Sequence, residues 1–184
     1  LYNAALQIKD KAQFVESLTT NMPAAPDHFS RCSAINGAGP AKVADLPKLT
    51  CLKPAEFRKA AERDGVIVVD IRSFESFGGM HIPGAYHLDF GGNFSTFAGW
   101  ILPPDAEILL VGDCEEQAAE AAVLLRRVGL DNVTAALHGG MFSWAKAGFP
   151  LAYVEQMSAH DVNRTITGGD GIVLLDVRAV TEYA

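Results

Sequence analysis

The residues best suited to chemistry lie between Gly112 and Gln117, where one thiol, Cys114, stands among carboxylates. A cysteine reacts as its thiolate, which nearby positive charge favours and nearby carboxylates disfavour. The acidic residues of this loop lie on both sides of the thiol: Asp113, Glu115 and Glu116. No lysine or arginine follows until Arg126. We therefore expect Cys114 to be a partly exposed thiol in a capping loop, with catalysis at Cys114 as the alternative.

This loop joins a predicted buried strand to a predicted helix. Residues Ile108 to Val111 are all apolar, as in a strand that is buried on both faces. The apolar residues that follow share one stripe at helical spacing: Ala118, Ala121, Ala122, Leu125 and Val128. Such a loop lies at a helix N-terminus, where unpaired N–H groups and the dipole favour an anion. The acidic side chains complement that terminus without any substrate.

Strands alternate with helices through the middle of the chain, which predicts a parallel sheet covered on both faces. Pro54 suits a first helical position, and Gly65 is placed to end that helix. Further strands are predicted at 66–69, 86–88 and 133–137, and further helices at 93–102 and 141–147. A polar loop is predicted between Arg72 and His81.

Composition limits the classes of function. The chain has 184 residues, 49% of them hydrophobic, and a net charge of −7, so nucleic acid and anionic membranes are disfavoured as partners. No apolar run approaches the roughly 18 residues of a membrane span, and the first ten residues do not resemble a signal peptide. Three widely spaced cysteines argue against a disulfide framework or a structural zinc site. These features predict an acidic cytoplasmic protein.

The chain also carries an internal repeat. The segments from Cys51 and from Gln156 share a helix, an Asp-Gly pair, an apolar strand and an Asp-x-Arg motif. The two motifs, Asp70 with Arg72 and Asp176 with Arg178, are 106 residues apart, about one small domain. We expect both pairs to connect a strand end to a neighbouring loop by charge-assisted hydrogen bonds, with contact to a substrate at Asp70 and Arg72 as the alternative.

Domain boundaries follow from these patterns. Asp10 and Gln13 form a capping box that predicts a helix near residues 11–20. Residues 22–47 are rich in Pro, Ala and Gly without periodicity, which predicts an extended linker. We therefore divide the chain into the tail of an upstream domain plus linker (1–48), an α/β domain (49–152) and the start of a second, incomplete unit (153–184).

The histidines do not predict a metal site. His81 precedes Ile-Pro-Gly with no second ligand at suitable spacing, so we expect it to hydrogen-bond to the backbone. The other four histidines are scattered: His28, His87, His138 and His160. We predict no metal and no cofactor within this segment.

Two stretches carry a family resemblance. VVDIRSFESFGGMHIPGAYHL resembles the opening signature of rhodanese (thiosulfate sulfurtransferase) domains, and GLDNVTAALHGGMFSWAKAGFPL resembles their closing one. The resemblance implies a three-layer α/β/α fold with a five-stranded parallel sheet, and a role in handling sulfane sulfur. The segment before the α/β domain, followed by one rhodanese-like unit and the start of a second, resembles the C-terminal half of fusions between a metallo-β-lactamase fold and rhodanese domains. These fusions include persulfide dioxygenase-type enzymes.

The resemblance also implies where the nucleophile belongs. Active members place a cysteine directly after the strand equivalent to 108–111, and the ungapped match from Gly129 puts Gly112 at that position. Cys114 comes two residues later, so we predict an inactive sulfurtransferase domain, with a persulfide carried on Cys114 as the alternative. A related phosphatase type needs an arginine six residues after its cysteine, where this chain has Glu120.

The implied partners are an upstream metallo-β-lactamase-fold domain, a second rhodanese unit and a further copy of the chain in a homo-oligomer. The resemblance further implies that iron or zinc, if present in the parent protein, is bound outside this segment.

Overall fold

Five parallel strands form one sheet in the order β1-β5-β4-β2-β3. The computed structural model describes residues 3–22, 25–26, 28–169, 171–178 and 180–183. The strands are β1 Thr50–Leu52, β2 Val66–Asp70, β3 Tyr86–His87, β4 Glu107–Val111 and β5 Val133–Leu137. This architecture confirms the predicted α/β fold with a five-stranded parallel sheet.

Helices precede, separate and follow these strands. Within the described residues they are α1 Lys11–Thr19, α2 His28–Ala38, α3 Pro54–Ala61, α4 Phe74–Gly79, α5 Phe94–Ile101, α6 Glu115–Arg126, α7 Gly140–Lys146, α8 Ala159–Gly168 and α9 Val180–Tyr183. None of the helices in this described part is long and apolar enough to cross a membrane.

The core consists of two apolar layers, one on each face of the sheet. Ile108 and Leu110 of β4 pack in the layer that contains the apolar residues of α5 and α6. Leu109 and Val111 point to the opposite layer, which includes Phe57 of α3 and Trp144 of α7 (two residues at most 2% exposed). Because alternate residues of a strand face opposite ways, a wholly apolar β4 is buried on both sides.

Local signals account for several helix starts. The Asp10 side chain accepts a hydrogen bond from the Gln13 amide at 2.9 Å and begins α1, as the capping box predicted. Pro54 occupies the first turn of α3. The predicted strands and helices between residues 54 and 147 are present, with ends shifted by one to a few residues.

Two local predictions are wrong, and one strand was not predicted. The predicted linker at 22–47 contains the helix α2, the predicted polar loop between Arg72 and His81 contains α4, and the edge strand β1 was not foreseen. Positions 23, 24 and 27 of that linker lie outside the described residues.

Helix α2 has no apolar stripe and buries only His28, so tertiary contacts hold it in place. Arg31 donates from Nη2 to the Val128 carbonyl at 2.8 Å, and His28 packs against Gly99 of α5.

The predicted strand of the second unit is also absent from the described residues. Helix α8 forms, but residues 171–177 pair with no strand of the sheet. Their apolar side chains remain largely in solvent, with Val173 93% and Leu175 77% exposed. In the first copy, β2 lies between β3 and β4 and forms hydrogen bonds with both. An isolated strand has no such partners, which explains its absence here.

Candidate functional site

The loop from Gly112 to Gln117 lies at the carboxyl end of β4, near the middle of the sheet. Gly112 is buried, whereas the next four residues are exposed. Cys114 has extended backbone angles (φ −149°, ψ 167°) and occupies the N-cap position of α6, but its side chain makes no capping hydrogen bond. The loop therefore has the predicted strand-to-helix geometry, with Gly112 at its base and Cys114 on its outer surface.

Gln117 fills the space above Gly112. Its side chain turns back from the first turns of α6, and Gln117 Oε1 accepts a hydrogen bond from the Asp113 amide at 2.8 Å. A Cβ atom built on Gly112 would lie 2.9 Å from that oxygen and 3.3 Å from the Cys114 carbonyl. The backbone at Gly112 does not lie in the left-handed region, so its conformation does not require glycine. An amide side chain thus occupies the space that a side chain at position 112 would need.

Cys114 lines a cleft of about 310 Å³, which we name the Cys114 cleft; it lies between the loop and residues 137–140. Glu115 and Glu116 contribute to one wall, and His138 contributes to the other. Among the described residues that line this cleft there is no lysine or arginine. A thiolate or an anionic sulfur donor would therefore meet carboxylates rather than a compensating cation.

Sequence reasoning missed two members of this site, Cys51 and His138. His138 Nδ1 donates a hydrogen bond to Glu115 Oε1 at 2.7 Å. This bond lowers the pKa of the Glu115 carboxyl, and a hydrogen bond from Cys51 lowers it further. Partial burial raises the pKa of the Cys51 thiol, and the carboxylates of Glu115 and Glu116 raise it further. The Glu115 carboxylate thus accepts a hydrogen bond from His138 and lies close to the Cys51 thiol, so Cys51, Glu115 and His138 form one cluster beside Cys114.

Strand order brings this cluster together. Cys51 lies on β1 beside Ala136 of β5, and His138 directly follows β5, which is the neighbour of β4. The His138 amide also donates to the Leu52 carbonyl at 2.9 Å. All three cluster residues therefore lie near the carboxyl ends of adjacent parallel strands. The positions of these residues near strand ends could have indicated the cluster, but only once the order of the strands is known.

Asp70 and Arg72 form a buried ion pair at the end of β2. Their side chains are 1% and 6% exposed, and Arg72 Nη2 lies 2.6 Å from Asp70 Oδ2. Asp70 also accepts from Arg72 Nε at 2.9 Å and from the Arg72 amide at 3.1 Å. The same guanidinium donates to the Met80 carbonyl at 2.7 Å. The pair connects the strand end to the segment after α4, as expected for a structural contact.

His81 lies in that segment and contacts the backbone. Its Nδ1 donates to the Phe77 carbonyl at 2.8 Å, and its ring stacks on Phe77 at 3.9 Å between centroids. Its backbone pairs with Ala152 in an isolated bridge. Among the described residues no three His, Cys, Asp or Glu side chains are grouped as metal ligands.

Asp176 and Arg178 repeat the geometry of the first pair but not its burial. Arg178 donates from its amide, Nε and Nη2 to Asp176 at 2.6–3.0 Å. Their side chains are 33% and 55% exposed. The hydrogen bonds from Arg178 lower the pKa of the Asp176 carboxyl. The motif thus forms its local hydrogen bonds without the surrounding domain, and it lies away from the Gly112 loop in sequence.

Comparison with known proteins gives one family match. The family model described as "Rhodanese-like domain" matches residues 53–147, about half of the chain. A search of curated proteins found no significant match.

Solved structures share this fold. A metallo-β-lactamase from Staphylococcus aureus subsp. aureus COL is 25% identical, with a TM-score of 0.53 over 71% of this chain. The Alr3790 protein from Anabaena sp. is 22% identical, with a TM-score of 0.51; the match covers 64% of this chain and 90% of that one. An anaerobic ergothioneine biosynthesis enzyme from Chlorobium limicola is 18% identical, with a TM-score of 0.51 over 70% of this chain and 34% of its own. The chain spans only 35% of the length of the metallo-β-lactamase.

Proposed function

This chain belongs to the rhodanese-like domain family, and from that premise we propose that it is a catalytically inactive sulfurtransferase domain of a larger sulfur-handling protein. Its role is to position a catalytic domain rather than to carry a sulfur atom. The observation that supports this most strongly is Gly112 at the base of the loop, with the Gln117 side chain in the adjoining space.

The argument rests first on position. Sulfur transfer needs a thiolate at the focus of the loop amides, because those N–H groups stabilise the negative charge on sulfur. Gly112 has no side chain, and the Asp113 amide already donates to Gln117. Cys114 lies on the exposed outer surface, two residues beyond that focus.

Charge supports the same conclusion. Two like charges about 4 Å apart near a protein surface repel by roughly 1 to 4 kcal/mol. The carboxylates of Glu115 and Glu116 border the Cys114 cleft, and Glu115 stays ionised because His138 donates to it. A persulfide or thiosulfate in this cleft would therefore be repelled, with no lysine or arginine among its described lining residues to offset the repulsion.

We propose that the larger protein is a metallo-β-lactamase and rhodanese fusion of the persulfide dioxygenase or hydrolase class. The similarity to the staphylococcal metallo-β-lactamase supports this proposal, as does the repeated Asp-x-Arg motif that begins a second rhodanese unit. An iron or zinc ion in such a protein would be held by the upstream domain. The partners of this chain would be that domain, the second unit and a further copy of itself.

Cyanide-dependent thiocyanate formation from thiosulfate tests the lack of activity. Sulfur transfer to a cysteine thiolate releases sulfite and leaves a persulfide, whose outer sulfur cyanide removes as thiocyanate. We expect the wild-type chain and the Cys114→Ser variant to give the same rate, equal to that of the Cys51→Ser control. The alternative, a persulfide carrier at Cys114, would be favoured by two observations together. The wild-type rate would be well above that of the protein-free reaction, and Cys114→Ser but not Cys51→Ser would abolish the difference.

A further inference from the structure

A second cleft lies at the opposite end of α6 from the Gly112 loop. Helix α6 has 12 residues, so its two ends are separated by about 18 Å. This second cleft has a volume of about 390 Å³ and includes Cys32 in its lining, so we name it the Cys32 cleft. Its walls are α2, the segment at 40–46 and the last turns of α6. The size is within the range of small-molecule sites.

Most of the cleft wall is apolar. The apolar side chains that line it come from all three walls: Ile35, Pro40, Ala41, Val43, Leu46 and Val123. Val43 is 80% exposed and Val123 is 49% exposed, so the structure leaves a substantial apolar surface in contact with water. A ligand with an apolar body would remove that surface from water.

Basic side chains lie at one end of the cleft. Arg126 and Arg127 line it, and Arg31 lies behind Gly129, another lining residue. Arg126 donates from Nη2 to the carbonyl groups of Pro47 and Val133. Arg31 donates to the Val128 carbonyl. Within the described part of the chain, none of these three arginines forms an ion pair with a carboxylate.

The local negative groups do not balance these charges. Asp131 is the single carboxylate among the described lining residues, and the C-terminus of α6 adds about half a negative charge. The three arginines therefore leave a local excess of about 1.5 positive charges, in a chain whose net charge is −7. Nε of Arg31 and Nε of Arg126 are both buried without a hydrogen-bond partner. Partly buried cations without an anionic partner favour the binding of an anion.

We propose that the Cys32 cleft binds a small organic anion, a molecule with an apolar body and a carboxylate, sulfonate or phosphate group. The apolar body packs between α2 and α6, and the anionic group faces Arg126 and Arg127. This inference goes beyond the proposed function, because it concerns the end of the domain away from the Gly112 loop and does not depend on whether sulfur transfer occurs.

Binding of 8-anilinonaphthalene-1-sulfonate tests the proposal, because this fluorescent probe joins an aromatic body to one sulfonate. We expect saturable binding that is stronger than that of N-phenyl-1-naphthylamine, the same body without the charge. Arg127→Gln should weaken sulfonate binding roughly fivefold, as expected for loss of one charge-assisted contact. Arg164→Gln, an equal charge change on exposed α8, should leave the affinity unchanged.

The three free cysteines locate the bound probe. Cys32 lines the cleft, whereas Cys51 and Cys114 lie near the Gly112 loop, so they serve as internal controls. We expect the sulfonate probe to slow alkylation of Cys32 severalfold, as mapped by mass spectrometry, and to leave the other two rates unchanged. Val123→Trp should obstruct the cleft and abolish this protection. Val43→Trp, on the facing wall, provides the same test if Val123→Trp does not fold.

Three results would each overturn the proposal. The first is probe binding with no selective protection of Cys32, which would place the probe elsewhere on the surface. The second is protection of Cys32 that survives a folded obstructing variant. The third is equal affinity for the charged and neutral probes.

Discussion

Replacement of Asp70 by asparagine should strongly destabilise the domain, because it breaks a buried ion pair while keeping the shape of the side chain. In the wild type, the Asp70 carboxylate accepts hydrogen bonds from three groups of Arg72: its backbone amide, Nε and Nη2. The variant retains one oxygen acceptor but leaves the Arg72 guanidinium, 6% exposed, with the Met80 carbonyl as its remaining strong partner. A buried cation without a compensating anion is unfavourable.

The expected loss is about 3–5 kcal/mol of unfolding free energy, the usual effect of removing one partner from a buried pair. For a domain of about 100 residues each kcal/mol lowers Tm by roughly 4–8 °C, so the fall should be at least about 12 °C. Differential scanning calorimetry and urea unfolding give the two quantities independently. A double variant, Asp70→Asn with Arg72→Met, should recover much of the loss because it removes the unpaired charge.

Asp176→Asn is the matched control. Asp176 and Arg178 make the same hydrogen bonds as the buried pair, but in solvent, so their loss should leave Tm unchanged within measurement error. If Asp70→Asn and Asp176→Asn shift Tm equally, then burial does not determine the contribution of this motif, and the reasoning is refuted.

Two further results are expected from other parts of the molecule. Glu115→Gln should lower the pKa of the Cys51 thiol, because it removes a carboxylate that stabilises the protonated form in the wild type. The pH at the midpoint of Cys51 modification by iodoacetamide should therefore fall. An unchanged midpoint would refute this assignment. Val69→Ala should cost about 2 kcal/mol, since Val69 is fully buried on β2, whereas Leu175→Ala at the equivalent repeat position, 77% exposed, should change stability by no more than about 0.5 kcal/mol in urea unfolding. Equal losses at the two positions would mean that residues 171–177 are packed in solution.

The central sheet could be predicted from the sequence because its strands are short apolar runs between clear helix signals. Ile108 to Val111 is an example, since a wholly apolar run has few alternatives to a strand buried on both faces. Helix α2 could not be predicted in this way, because its contacts with Val128 and Gly99 join residues far apart in the chain. The three-residue β1 carries too short a pattern for any periodicity to be visible.

The candidate site was predictable only in part, for a similar reason. The loop and its acidic character follow directly from the residues after β4. The cluster of Cys51, Glu115 and His138 depends on the order of strands in the sheet, which the sequence does not display. The turn of Gln117 toward Gly112 depends on a single side-chain rotamer and one hydrogen bond. The family resemblance predicts position 112 as the place of the nucleophile, and the structure shows that Gln117 lies beside it.

Mass mapping after incubation with a persulfide donor tests the central claim most directly. The comparison is between the wild type and a Gly112→Cys variant that also carries Gln117→Ala, which vacates the space where the new Cβ would meet Gln117 Oε1 at 2.9 Å. The account predicts an added sulfur on residue 112 of the variant, and no more sulfur on wild-type Cys114 than on exposed Cys51. Sulfur added selectively to Cys114 of the wild type, with none on residue 112 of the folded variant, would contradict it.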